Sequence, residues 1–108
     1  MKEFKLDVTK IAGMGKFDGI SGHLIIKVPS MKERLAMMKD SEIKSSNVGM
    51  DEVVKLMEAS ALCVSSVDVD YLGEKYTSFE DLGYYEFGSV IVNYVSGVVM
   101  NGIPLGKN

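Results

Sequence analysis

The sequence predicts an α+β fold: a small domain with two β-hairpins and three to four helices, closing with an apolar C-terminal helix. Two observations carry this. Apolar and charged residues alternate in Glu3–Thr9 and again in Val67–Tyr71, the period of a half-buried strand. Between and after these stretches the apolar residues recur three and four apart, the period of an amphipathic helix. A length of 108 residues matches one domain, so residues 1–108 are read as a single unit.

In chain order, Phe4, Leu6 and Val8 mark one side of the first strand. Gly13, Gly15, Gly19 and Gly22 punctuate the connection that follows, which reads as a mobile loop. His23–Val28 is a second strand, stopped by Pro29, and pairs with the first as an antiparallel hairpin. Ser30 and Glu33 have the spacing of a capping box, opening a helix whose Met31, Leu35 and Met38 share a face. Asp40–Asn47 is polar and reads as a linker. A second helix is expected from about Met50 to Val64, with Asp51 and Glu52 where the helix dipole favours acid. Val67–Tyr71 and Lys75–Thr77 form the second hairpin around Leu72-Gly73. Ser78 caps a third helical segment, and Glu86–Asn101 is the closing helix, ended by Gly102. The closing helix is rich in valine, yet Phe87, Val90, Ile91, Tyr94, Val95 and Val98 keep helical spacing.

Composition narrows the function. Hydrophobic residues make up 46 % and charged residues 25 %, which argues against a disordered chain. A lone cysteine and the charged opening MKEFKLDVT point to a reducing, cytoplasmic setting. The net charge of −3 tells against a nucleic-acid partner. That charge is uneven: residues 1–48 carry nine basic and six acidic side chains, residues 49–108 three and nine. Eight methionines and no tryptophan complete the profile. Methionine fills irregular cores and also suits surfaces that adapt to a partner.

No candidate catalytic set survives inspection. Gly13-Met14-Gly15-Lys16 lacks the spacing of a phosphate loop and is followed by Phe17. Asp68, Asp70 and Gly73 start like a calcium loop, but Leu72 and Phe79 stand where oxygen ligands are required. His23 and Cys63 are the only residues of their types, too few for structural zinc, and Cys63 sits in apolar sequence. The tyrosines lie in the acidic half, away from any phosphate-binding patch. The expectation is a protein that is not an enzyme and carries no cofactor or metal.

The closing helix supplies the binding signal, because no charge occurs between Glu86 and Lys107. A surface helix normally puts Lys, Glu or Arg on its wet face. Its second face, with Val92, Ser96, Val99 and Met100, is therefore a candidate contact with another copy or a partner. The helix is too short and too interrupted by Gly and Asn to span a membrane. Met37 and Met38 are the second candidate, as adaptable side chains for partner binding.

Taken together, the strand EFKLDV, the central helices, and VSSVDVDYLGEKYTSFEDL running into an apolar last helix and NGIPLGKN resemble the tail assembly chaperones of long-tailed bacteriophages. The resemblance spans most of the chain. It implies a self-associating chaperone in the host cytoplasm that binds the tape measure protein and helps recruit tail tube subunits. A small tail completion or head–tail joining protein, and a regulatory protein-binding domain, fit the same residues.

Overall fold

The computed structural model describes residues 1–40 and 58–104. Four strands, β1 (Lys2–Asp7), β2 (Ser21–Val28), β3 (Val64–Tyr71) and β4 (Glu74–Tyr76), form one antiparallel sheet in the order β1-β2-β3-β4. The two predicted hairpins are thus fused along β2 and β3. Helix α1 spans Met31–Asp40, residues 58–63 are helical (α2), and α3 (Phe79–Leu82) and α4 (Glu86–Asn101) follow β4. The linker expected over Asp40–Asn47 and the start of the second helix lie mostly outside the described residues.

Alternation sorts each strand into a core face and a water face. Leu6, Leu24, Ile26, Val28, Val67 and Val69 are buried, while Glu3, Lys5, Asp7, Ser66 and Asp70 are not. Helix α4 covers the core face with Phe87, Ile91, Val95 and Val98, and the buried apolar side chains of sheet and helix form one cluster. At its N-terminal end Phe87 is the hub of an aromatic group. Tyr71, Tyr76 and Tyr85 lie 4.9, 5.2 and 5.5 Å from it between ring centroids, and Phe17 lies 6.3 Å away. Such ring pairs add about 0.5–1.5 kcal/mol each beyond the area they bury.

The sequence reading and the structure part company at the second strand pair. Val64 was expected to end a helix, but it opens β3. Its pairing partner is Ile26, whereas Ile25 pairs with Ser66, so Ser65 is an extra residue in β3. This bulge, braced by the Ser65 hydroxyl donating to the Ile25 carbonyl at 3.2 Å, changes which alternate residues face inward. Val64 and Val67 are three apart, yet both pack on the core.

The glycine-studded connection also differs from the mobile loop predicted. Val8, Ile11, Met14, Phe17 and Ile20, one residue in three, are all buried. Each of the last four donates its amide to the carbonyl of the one before: Ile11 to Val8, Met14 to Ile11, Phe17 to Met14 and Ile20 to Phe17. Two of these turns are 3₁₀, at Val8–Lys10 and Met14–Lys16, and they alternate with turns through Gly13 and Gly19, whose φ of 92° and 85° keeps the run from being one continuous helix. Lys16 fastens the segment to α4 through Glu86 at 2.8 Å.

The β3–β4 turn is a two-residue Leu72-Gly73 loop with φ of 53° and 80°. Positive φ at both centres suits the twist of a hairpin, and it favours Asn or Gly over Leu at the first. Leu72 is exposed, so its side chain offers little packing to offset the backbone cost. Leu72→Asn should therefore raise stability by about 1 kcal/mol, read as a higher urea midpoint with an unchanged slope.

Candidate protein-binding surface

Helix α1 begins as its sequence requires. The Glu33 amide donates to the Ser30 hydroxyl at 3.2 Å, and the Ser30 amide donates to the Glu33 carboxylate at 3.0 Å. This reciprocal pair satisfies two amides at the helix start. The Ser30 amide, aided by the Met1 ammonium 3.1 Å away, holds the Glu33 carboxyl below the ordinary glutamate range.

The helix then docks by its polar side. Arg34 is half-buried and donates from Nε to the Val99 carbonyl at 2.7 Å. That carbonyl belongs to the last turn of α4, where such groups lack partners within the helix and where the dipole attracts a cation. Met31, about 60° around the helix from Arg34, and Leu35, about 100° away, flank this contact without being covered by it. Met31 is 74 % exposed and Leu35 61 % exposed. Of the face shared by Met31, Leu35 and Met38, Met31 and Leu35 are thus turned to solvent, and an arginine attaches α1.

Further apolar side chains gather at the same end of the molecule. Met1, at the start of β1, and Met100, in the last turn of α4, are both exposed. A shallow groove of about 410 Å³ is lined by Met1, Val28, Pro29, Arg34, Gly102 and Ile103. The surface carries basic residues at Lys2 and Lys32, both exposed.

The candidates from sequence fall in three groups. Met100 is exposed in the last turn of α4. Met37 and Met38 lie in the second half of α1, and their side chains are outside the described residues. Val92, Ser96 and Val99 are buried within the domain, which corrects the reading of them as an intermolecular face. Neighbours from the same chain cover them: the Ser60 hydroxyl of α2 bonds the Ser96 hydroxyl at 3.1 Å, and Ala61 and Phe79 line a cleft beside Val92. The uncharged second face of α4 is thus a second core contact. Sequence reading missed Met31 and Leu35 as surface residues. The available signal was Arg34 between them, a cation placed to cap another helix.

The residues tested for catalysis stay apart. His23 lies on the water face of the sheet, between Asp7 of β1 and Asp68 of β3. Cys63 is buried just before β3, and Val64 pairs three residues further along β2 than His23's position, about 10 Å at strand rise. Burial pushes the Cys63 thiol up, and the Glu33 carboxylate adds to this, so the nucleophilic thiolate is disfavoured. Asp68 and Asp70 sit on the same water face. Lys75 neutralises Asp68 at 3.1 Å and is itself held above the usual lysine range, chiefly by that hydrogen bond. Among the described residues no group of three or more His, Cys, Asp or Glu could hold a metal ion, and no helix is long and apolar enough to cross a membrane.

Comparisons with protein-family models, curated proteins and solved structures returned no match for this chain.

Proposed function

We propose that this chain is a non-catalytic protein-binding domain acting as a tail assembly chaperone does: it holds the tape measure protein and helps recruit tail tube subunits in the host cytoplasm. The observation that carries the binding role is the outward apolar stripe of α1. Met31 and Leu35, one helical turn apart, stand exposed, as do Met1 and Met100. An apolar stripe at that spacing suits the face of a second amphipathic helix, and methionine lets one surface accept many sequences. The sequence likeness to phage chaperones supplies the identity of the partners.

Coexpression with the neighbouring genes, followed by pulldown, tests the reading. The wild-type chain should retain the tape measure protein, and Met31→Lys with Leu35→Lys should cut the amount retained about tenfold. Both residues are exposed, so circular dichroism and melting temperature should hardly change. Failure of the wild-type chain to retain the tape measure protein would overturn the reading. So would its presence in finished particles, which instead indicates a structural tail component.

A further inference from the structure

We propose that β1 is a self-pairing edge: it joins antiparallel to β1 of a second copy, with Phe4 opposite Phe4, to build one eight-stranded sheet. The edge adjoins the α1 surface at Met1, but the pairing does not depend on the α1 stripe.

Among the described residues, strand β1 stands at the end of the sheet order and pairs with β2 alone. No backbone-to-backbone hydrogen bond outside the sheet involves residues 1–7 among the described residues; the Met1 ammonium donates to the Glu33 carboxylate and the Thr9 amide to the Asp7 side chain, both at the ends of the strand. The edge is six residues long, without proline or a register shift against β2. Such an edge offers unpaired amides and carbonyls to another strand.

Symmetry and charge then select the occupant. Opposed residues of an antiparallel pair point to the same side of the sheet. A two-fold axis between identical strands therefore runs through one residue, which faces itself. Centring on Glu3 sets that carboxylate against itself, and centring on Lys5 opposes two lysines and sets Glu3 against Asp7. Centring on Leu6 aligns only residues 5–7 before the chain turns at Val8. Centring on Phe4 aligns residues 2–6 of the strand and sets Glu3 against Lys5 twice. All of these charged side chains are exposed on the water face. Glu3 already faces Lys27 across β2, so the new pair continues a row of alternating charge. On the opposite face Phe4 packs against the core yet is only half-buried, and its twin would complete its cover. Both copies keep α4 on the same side of the joined sheet.

Sedimentation of the full chain over a range of concentration tests this. A reversible dimer is expected, and Glu3→Lys or Lys5→Glu alone should weaken it about tenfold by opposing like charges. The double variant carrying both changes recreates each pair with its signs exchanged and should restore the dimer. Oxidised Phe4→Cys should cross-link copy to copy, since opposed strand residues have the Cα spacing of a disulfide. Lys5→Cys alone should not cross-link. A wild-type chain that stays monomeric overturns the proposal. A dimer indifferent to the single changes, or not restored by the double one, overturns it equally.

Discussion

Gly88→Ala should unfold the domain or come close to it, whereas Gly97→Ala, two to three turns along the same helix, should stabilise it. The α carbon of Gly88 rests against the backbone at the end of α3. A β carbon there would overlap the Leu82 carbonyl oxygen and lie 2.8 Å from the Leu82 α carbon. Neither atom can rotate aside as a side-chain tip would, so α3 and α4 must separate. Leu82 is fully buried, and that separation would open the core around it. Overpacking of side chains alone costs about 1–3 kcal/mol, and collision with backbone exceeds it. A loss of about 3 kcal/mol or more is a large part of the roughly 5–15 kcal/mol that holds a domain together. At Gly97 a β carbon meets nothing within 4 Å among the described residues. There the helix preference of alanine over glycine should add up to about 1 kcal/mol. Urea titrations of the two variants should move their midpoints in opposite directions; a Gly88→Ala midpoint equal to wild type would show that the close approach is wrong.

Val92→Glu should also unfold the chain rather than dissociate an oligomer. Val92 is 5 % exposed, and Glu58 and Glu80 line the cleft at its side. A glutamate there either stays buried without a partner or turns toward two carboxylates. Burying an unpaired charge costs several kcal/mol. The neighbours make the effect depend on sign, so Val92→Lys, of similar length, should be the less damaging change. Thermal melts followed by circular dichroism would show both. A folded Val92→Glu variant of reduced particle size would return this face to the surface.

Much of the fold was legible in the sequence. The capping pair Ser30 and Glu33, the alternation of Val67 and Val69 with Asp68 and Asp70, and the helical spacing from Phe87 to Val98 are local patterns. Local geometry then realises each of them. What escaped depended on a period or a partner. Val64 looked helical because the extra residue Ser65 breaks the strand alternation, and only pairing with Ile25 and Ile26 reveals the bulge. The glycines between Lys10 and Gly22 drew attention from an apolar beat of three, which neither the helix nor the strand period detects. For the binding surface, the apolar pattern of α1 was plain, but its direction was not. Periodicity tells which residues share a side. Whether that side meets the core was settled by Arg34 bonding the end of α4, a contact 65 residues away in sequence. The same limit misplaced Val99, which is buried, and Val92 and Ser96, beside which residues of α2 and α3 lie.

The run from Val8 to Ile20 constrains how this stretch of chain can vary in length. A surface connection ordinarily accepts insertions of any size, because its residues have no fixed inward side. Here every third side chain enters the core, and each turn hands its hydrogen bond to the next. One added or lost residue would rotate all later anchors out of place and bring a polar neighbour such as Lys16 or Asp18 inward. The two 3₁₀ turns and the left-handed Gly13 and Gly19 each recur six residues apart, so six residues, with apolar anchors and a glycine in the right places, would add a whole repeat and leave the phase intact. Length here is counted in pairs of turns, as if the segment were a short ratchet against the sheet.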